Sequence, residues 1–290
     1  MTVGLLISGN LGNIVLHDIL SKKDISLLFV FTDSKSSTII ETCKTKQIKH
    51  FVGNPRNGKA NVFLTEVESP SLILSINYLF IVEEDIINKA TKFAINIHGS
   101  LLPKYRGRTP HVWAIINNET LTGITAHLIS KGCDEGDIVA QIEVPILPSY
   151  TGQDLLNVFN LKYPLLVKEI LDKVKANTLT TTKQEESKAT YFEKRTAEDG
   201  KINFDWQKER IYNWVRAQAK QYPGAFGFID SNKIIIHKIE FSDFGFRQEM
   251  PNGLVLKIEN NIPFIKIQNG VIKLIETASD YLIKEGDILK

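Results

Sequence analysis

The chain has 290 residues, 43% of them hydrophobic, and its 35 Lys and Arg residues against 33 Asp and Glu residues give a formal net charge of +2 at pH 7. This is the composition of an ordinary globular protein with room for one large and one small domain. The nearly balanced charge gives no reason to expect a surface that coats nucleic acid.

Two cysteines, Cys43 and Cys133, are too few for a disulfide framework or a cysteine-based metal site, so we expect a reducing compartment and no metal. Met1 and Thr2 lead directly into an apolar strand without a cleavage signal, and no apolar run approaches the roughly 20 residues that span a bilayer. These features predict a soluble, cytoplasmic protein without membrane contact.

The N-terminal part of the chain alternates between strand and helix patterns. Apolar runs predict strands at residues 3–7, 25–32, 48–52 and 71–76, with helical spacing after the first strand and again at 37–46. This alternation predicts a doubly wound, mostly parallel α/β sheet.

The loops after two of these strands could bind a ligand. Gly9 and Gly12 form only a weak dinucleotide fingerprint because the third glycine is missing, and we expect no dinucleotide site there. Residues 77–82 place apolar side chains at a strand end, where simple packing is the alternative to ligand binding.

Residues 93–137 carry the strongest signal. The stretch begins as an apolar strand, at whose end Asn96 and His98 share a face because strand side chains alternate. A proline- and cation-rich loop follows, and further strands are predicted at 122–130 and 138–144. Open α/β sheets bind ligands at strand carboxyl ends, so the amide, the histidine and the basic loop suggest a site for an anionic substrate.

The turn between the last two of these strands presents three carboxylates, from Asp134, Glu135 and Asp137. Acidic residues in such a turn commonly serve only its geometry, and a single histidine at a strand end is commonly a structural hydrogen-bonding residue. Both of these alternatives compete with a catalytic interpretation.

Three sequence motifs and one spacing closely resemble the folate-dependent formyltransferase superfamily. The motifs are Asn-x-His-Gly-Ser-Leu-Leu-Pro-x-Tyr-Arg-Gly, Thr-Gly-x-Thr and Gly-Asp-Ile-Val, and the spacing places an Asp 36 residues after the His. The resemblance implies transfer of a formyl group from 10-formyltetrahydrofolate to an amine. It assigns Asn96, His98 and Asp134 as catalytic residues, with Asp137 as the second choice for the carboxylate.

Formyl transfer creates an oxyanion and an ammonium group that must lose a proton. The Asn96 amide and a protonated His98 are expected to donate hydrogen bonds to the oxyanion, and Asp134 is expected to favour the imidazolium and fix its ring. The proton acceptor is either His98 or Asp134 with water.

The same resemblance assigns the folate site. Backbone groups of Phe80, Ile81 and Val82 are expected to bind the pterin edge, with Arg108 near the carrier. The acidic turn is expected to contribute Ser130, Lys131, Gly132, Cys133 and Asp134.

The second half of the chain predicts a second domain. A capping box at residues 151–154 starts a long helix that Pro164 should kink or divide. The polar residues 177–190 are interpreted as a surface connection between domains. We expect a catalytic domain at 1–200, and at 201–290 a helix with a small antiparallel β domain, because short apolar runs alternate there with Asn-Gly turns.

Three further sequence motifs resemble the nucleotide-sugar branch of the superfamily: Arg-Thr-x-x-Asp-Gly, Val-Arg-Ala and Tyr-Pro-Gly-Ala-Phe. We therefore expect dTDP-4-amino-4,6-dideoxyglucose as the acceptor, for O-antigen or other lipopolysaccharide synthesis, and no nucleic-acid partner. The alternatives are methionyl-tRNA, UDP-4-amino-arabinose and a catalytically silent folate-binding module. Arg-Gly-Arg-Thr-Pro at 106–110 and the short, nearly neutral C-terminal part disfavour tRNA. A homodimer is the assembly considered.

A sugar nucleotide needs cations or main-chain donors for its diphosphate and an aromatic face for its base. We expect the base against Tyr222, whose alternative role is interdomain packing. The diphosphate is expected near Asn10, Lys104 and Arg106, and the hexose near Asn77, Tyr105 and Thr109.

Overall fold

The computed structural model describes residues 1–290, which form two compact units. Unit 1 comprises Met1–Gly107, Gly123–Val144 and Val158–Tyr191, and unit 2 comprises Arg108–Thr122, Pro145–Asn157 and Phe192–Lys290. The two units alternate along the chain, and the domain boundary at residue 200 stays a prediction.

Helices and strands alternate along the first part of the chain. They are β1 (Thr2–Ile7), α1 (Gly9–Ser21), β2 (Ser26–Thr32), α2 (Ser37–Thr45), β3 (Lys49–Val52), α3 (Asn61–Glu66), β4 (Leu72–Ile76), α4 (Glu84–Ile87), β5 (Phe93–His98), β6 (Arg106–Gly107), α5 (Pro110–Ile116), β7 (Leu121–Leu128), β8 (Ile138–Pro145) and α6 (Gly152–Ala176).

Strands dominate the remainder. The elements are β9 (Tyr191–Phe192), α7 (Lys208–Ala217), β10 (Ala225–Ile229), β11 (Asn232–Ser242), β12 (Val255–Glu259), β13 (Ile262–Ile267) and β14 (Gly270–Ala278), with short 3-10 turns at Glu186–Lys188 and Glu198–Gly200.

The largest sheet has seven strands in the order β3-β2-β1-β4-β5-β7-β8. Strands β1 to β5 pair in parallel, and β7 is antiparallel to β5. The predicted doubly wound, mostly parallel sheet is therefore confirmed. Because β4 and β5 are parallel and paired up to Ile76 and Ile97, their carboxyl ends meet at one edge of the sheet.

Burial explains why the strands read as continuous apolar runs. The last four residues of β2 and all five residues of β4 are buried, as expected for parallel strands covered on both faces. Phe29 and Phe31 of β2 pack edge-on against Phe63 of α3, with ring centroids 6.2 and 5.2 Å away. This cluster forms part of the unit 1 core.

The glycine pair after β1 has a packing explanation. A Cβ on Gly12 would lie 2.9 Å from Cβ of Ile7, so only glycine lets α1 pass this close to β1. This close approach accounts for Gly12 without a dinucleotide.

Helix α6 begins with the predicted capping box: Asp154 donates its N–H to Thr151 Oγ1 at 3.1 Å, and Thr151 donates its N–H to Asp154 Oδ2 at 2.9 Å. Pro164 lies inside the undivided helix, so of the two predicted outcomes the division is wrong and the kink stays a prediction. Tyr163 and Leu166 on either side of it are buried, and their packing keeps the helix continuous although the proline removes one amide donor. No helix of the structure has both the length and the apolarity needed to cross a membrane.

Unit 2 contains a five-stranded antiparallel sheet in the order β10-β11-β14-β13-β12, which confirms the predicted C-terminal β domain. Its core joins strand residues such as Ile236 and Ile265 to Ile211 and Val215 of α7. The strands of the sheet and one amphipathic helix thus share a single apolar cluster.

Unit 2 also holds all three tryptophans of the chain, Trp113, Trp206 and Trp214. The Arg195 guanidinium lies 4.8 Å from the ring centroid of Trp113 and 4.5 Å from that of Trp214. Trp206 meets Trp214 edge-on at 4.9 Å. The cation and the three rings form one connected cation–aromatic group.

Candidate active site

Strand β5 delivers the predicted amide and imidazole to one edge of the sheet. Asn96 and His98 are two residues apart and so share a face, and His98 is only 8% exposed. In the antiparallel pairing with β7, Asn96 lies opposite His127, and Asn96 Nδ2 donates to His127 Nε2 at 3.1 Å. The sheet therefore adds a second histidine to the predicted pair.

Asp134 completes the group from the turn between β7 and β8. Its carboxylate lies 3.4 Å from His98 Nδ1 and 3.5 Å from His127 Nε2, and it accepts a hydrogen bond from the Gly107 N–H at 2.9 Å. The structure thus brings together the three residues predicted to be catalytic, with Asn96 linked to Asp134 through His127. Their catalytic roles stay predictions.

The hydrogen bonds define the tautomers of both histidines. His98 donates its Nε2–H to the Tyr105 carbonyl oxygen at 2.8 Å, so a neutral ring has its lone pair on Nδ1, facing Asp134. His127 donates its Nδ1–H to the Leu128 carbonyl oxygen at 2.9 Å, which leaves Nε2 to accept from Asn96.

Burial and charge set the protonation states. Burial lowers the pKa of His98, although the Asp134 carboxylate and the Tyr105 carbonyl act in the opposite direction. Burial alone would raise the pKa of Asp134, but His98, His127 and the Gly107 N–H together lower it well below its usual value. Asp134 is therefore ionised at neutral pH. The Nε2–H of His98 is held by the Tyr105 carbonyl oxygen, and the role of a protonated His98 as a donor to the oxyanion stays a prediction.

Arg106 is not available for a diphosphate, and this prediction is corrected. Its side chain is fully buried, and its five N–H donors all have protein partners. Two donors bind Gln184 Oε1, at 3.2 and 2.9 Å, two bind the Glu186 carboxylate, at 3.0 and 2.8 Å, and one binds the Tyr191 hydroxyl. A buried charge needs such partners, and they leave no donor for a ligand.

The segment 177–190 is more than the predicted surface connection. Besides binding Arg106, Gln184 donates its Nε2 hydrogens to the carbonyl oxygens of Asp134 and Gly136, at 2.7 and 2.8 Å. The segment therefore belongs to unit 1 and holds the turn that carries Asp134.

The predicted folate residues of unit 1 lie on two loops. Phe80, Ile81 and Val82 lie in the loop after β4, and Ile81 is 60% exposed. Cys133 is exposed on the turn that carries Asp134. Because β4 and β5 end at the same edge, the first loop lies on the side of the sheet where His98 lies. The pterin contacts, including that of the exposed Arg108, stay predictions.

Four predicted sugar-nucleotide residues lie in unit 1. Asn10 is exposed at the start of α1, Asn77 donates its Nδ2–H to the Ser8 carbonyl oxygen at 3.1 Å, and Lys104 is exposed. Tyr105 is only 7% exposed. The roles of all four stay predictions.

Two further predicted substrate residues lie in unit 2. Thr109 precedes α5 with φ 50°, and its Oγ1 is buried without a hydrogen-bond partner. Tyr222 shares a 2.7 Å hydrogen bond with His111 Nε2, and because both residues belong to unit 2, this bond is packing within one unit and does not test the interdomain packing named as the alternative. Burial raises the pKa of Tyr222 to about 12, so it remains a neutral phenol. Stacking on a base stays a prediction.

A group of polar side chains at the carboxyl ends of a doubly wound sheet is the arrangement of an α/β enzyme. The sequence matches the formyl transferase family over residues 1–164 and the formyl transferase C-terminal domain over residues 194–280. The chain belongs to the formyl transferase family, and the protein is a formyltransferase.

Solved structures of sugar formyltransferases are similar to this one. WlaRD, a sugar 3N-formyltransferase crystallised in the presence of dTDP and 5-N-formyl-THF, is 22% identical with a TM-score of 0.72, over 98% of this chain and 99% of its own. The N-formyltransferase from Helicobacter canadensis, in complex with folinic acid and dTDP-3-aminofucose, is 22% identical with a TM-score of 0.72, over 96% and 98%. A 4-N formyltransferase from Francisella tularensis is 22% identical with a TM-score of 0.67, over 82% and 96%. These similarities show the shared fold.

Proposed function

We propose that this formyltransferase moves the formyl group of 10-formyltetrahydrofolate to the amine of a nucleotide-linked amino-dideoxysugar. The observation that carries the proposal is the meeting of Asn96, His98 and Asp134 at one edge of the sheet, linked by contacts of 3.1–3.5 Å through the two histidines. Similar folds crystallised with formylated folates and with dTDP or a dTDP-sugar support both substrates.

In the proposed reaction, the lone pair of the sugar amine attacks the formyl carbon, and the carbonyl electrons move onto oxygen. Asn96 Nδ2 donates one hydrogen bond to His127 and has a second N–H for this oxyanion. A donor of this kind typically contributes about 10²–10³-fold to turnover. The oxyanion electrons then re-form the carbonyl as the bond from the formyl carbon to N10 breaks, and N10 takes up the proton that the amine has lost, so that tetrahydrofolate leaves.

His98 is the proposed base for the amine proton. Its lone pair is on Nδ1, because Nε2–H is held by the Tyr105 carbonyl. When Nδ1 takes the proton, the imidazolium forms 3.4 Å from the Asp134 carboxylate, which stabilises the new charge. General base catalysis of this kind contributes about 10²–10⁴-fold.

We infer dTDP-4-amino-4,6-dideoxyglucose as the acceptor, and a cytoplasmic role in making O-antigen or another surface polysaccharide. The nucleotide-sugar words of the sequence support this choice, as does the similarity to a 4-N formyltransferase. The sequence identity of this chain to the 3N-formyltransferase WlaRD is the same as its identity to the 4-N formyltransferase, 22%. The position of the amine on the sugar is therefore the variable that the experiment must test.

The test supplies 10-formyltetrahydrofolate with each of four acceptors: dTDP-4-amino-4,6-dideoxyglucose, a dTDP-3-amino sugar, UDP-4-amino-arabinose and methionyl-tRNA. Mass spectrometry should detect the added formyl group, with the highest kcat/KM for the first acceptor. Thermal shift with dTDP, UDP and tRNA reports the acceptor class separately, since a ligand at 100 times its Kd stabilises by about 2.7 kcal/mol. Transfer to tRNA alone, or to none of the four, would overturn the proposal.

A further inference from the structure

Gln184 connects Asp134 to a buried cation. Its Nε2 donates both hydrogens, to the carbonyl oxygens of Asp134 and Gly136, and its Oε1 accepts from Arg106 Nε and Nη2. Two carbonyls at one end and a guanidinium at the other allow only one orientation of the amide. Every hydrogen of this amide is used, so the side chain is held rigidly.

The other partners of Arg106 hold the same turn. Glu186 accepts two hydrogen bonds from the guanidinium, and the Tyr191 hydroxyl accepts one and donates to Glu135 Oε1 at 3.0 Å. Gly107, the residue after Arg106 in the chain, donates its N–H to the Asp134 carboxylate. Contacts from residues 106–107 and 184–191 therefore fix the turn through both its backbone and its side chains.

The turn needs this support because its own sequence does not fix Asp134. Asp134 has φ 57°, a left-handed conformation that is unfavourable for a non-glycine residue. Gly136 follows closely, at a position where a Cβ would lie 1.7 Å from the Leu128 carbonyl oxygen. Bonds from outside the turn must select the backbone conformation that aims the carboxylate at His98 and His127.

We propose that Gln184 is a positioning residue for formyl transfer. It contacts no reacting group, and it acts by holding the Asp134 backbone so that the carboxylate lies beside both imidazoles. The inference rests on the proposed function, because it takes Asp134 as the carboxylate that stabilises the protonated His98.

The first test compares Gln184→Ala and Gln184→Glu with the neighbouring, exposed Glu185→Ala as a matched control. Both Gln184 variants should lower kcat by about 10–10²-fold with little change in KM, because a displacement of about 1 Å in a catalytic group can cost about 10²-fold. The Gln184→Glu carboxylate still accepts from Arg106, but it replaces the amide N–H donors by an oxygen that faces the Asp134 and Gly136 carbonyl oxygens. The kcat of Gln184→Glu should therefore be no higher than that of Gln184→Ala. Glu185→Ala should match the wild type.

The second test separates positioning from folding. In an Asp134→Ala background, adding Gln184→Ala should lower the residual rate no further, because the group that Gln184 positions is already gone. Losses that multiply, a wild-type kcat in both Gln184 variants, or a loss that tracks a fall in Tm would each overturn the proposal.

A third measurement needs no turnover and distinguishes this inference from the proposed function. If the wild type formylates none of the acceptors, the proposed function fails. The ring signals of His98 and His127 in NMR spectra then still report on the position of Asp134. Gln184→Ala should shift these signals while Glu185→Ala leaves them in place. Unmoved signals in both variants would overturn the positioning role.

Discussion

Two histidines of this chain have lowered pKa values but different partners. His98, in unit 1, lies 3.4 Å from the Asp134 carboxylate, whereas His111, in unit 2, has the neutral Tyr222 hydroxyl at 2.7 Å. Burial lowers the pKa of both rings, to about 4 for His111, but only His98 has a nearby carboxylate acting against that effect. A buried imidazole can accept a proton during turnover where a carboxylate stabilises the product, and otherwise it stays neutral.

The largest expected effect is at the histidine that has the carboxylate. His98→Ala and Asp134→Ala should each lower formyl transfer by at least about 10²-fold, since each removes part of the proposed base. Both residues lie at a strand end or in a turn, so both variants should still fold, with a lower Tm for Asp134→Ala because its ionised carboxylate stabilises the folded state. The assay is kcat on the best acceptor, with Asp137→Asn in the same turn as the control. Retention of more than about a tenth of wild-type turnover by either variant would contradict the roles proposed here.

His127 should follow with a smaller loss. It accepts from Asn96 and lies 3.5 Å from Asp134, so His127→Ala frees both partners and should lower kcat by about 10–10²-fold. Steady-state kinetics measure this loss, and the KM for either substrate should change little. If KM rises while kcat is preserved, His127 belongs to a binding surface and does not position the catalytic groups.

Tyr222, the hydrogen-bond partner of His111, tests the histidine that has no carboxylate partner. If it stacks on the nucleotide base, Tyr222→Ala should raise KM for the sugar nucleotide about tenfold, since such stacking is worth about 1–3 kcal/mol. Tyr222→Phe loses the hydrogen bond to His111 but keeps the ring, so its KM should stay near the wild-type value. Equal KM values in both variants and the wild type, at normal Tm, would leave Tyr222 a packing residue only.

The smallest effect concerns stability against pH. The folded-state pKa of His111 is about 4, below the value of about 6.5 expected in the unfolded chain. Between these values the unfolded chain binds more protons, so the free energy of unfolding must fall as pH falls. Wild-type Tm should therefore drop more between pH 7 and pH 5 than the Tm of His111→Gln.

Two features keep this pH measurement specific. The pKa of His98 is also lowered and acts with the same sign, so the comparison uses the difference between wild type and variant. The lowered pKa of Asp134 removes stability only at lower pH, as the carboxylate becomes protonated. The exposed His17→Gln serves as control, and an equal slope in wild type and His111→Gln would show that His111 is not buried as a neutral ring.

The sequence predicts the sheet correctly, and it predicts that Asn96, His98 and Asp134 lie together, for a physical reason. Parallel strands such as β4 are buried on both faces, so their apolar runs are local signals. Asn96, His98 and Asp134 lie in one continuous stretch whose words and spacing match a family.

The errors involve contacts between distant parts of the chain. Arg106 lies in a cation-rich loop that suggests phosphate binding, but its partners Gln184 and Glu186 are 78 and 80 residues away in sequence. His127 becomes recognisable only when β7 is known to pair antiparallel to β5, because that register places it opposite Asn96. Local composition contains neither fact.

The grouping of Trp113, Trp206 and Trp214 in unit 2 has a spectroscopic consequence. Intrinsic emission excited in the indole band arises from unit 2 alone, where each of the three fluorophores has a guanidinium and another aromatic ring beside it. A melt followed by this emission therefore reports directly on the surroundings of the indoles, whereas Asn96, His98, His127 and Asp134 all belong to unit 1. Integrity of their surroundings in any variant has to be followed by backbone circular dichroism or by an indole introduced into unit 1.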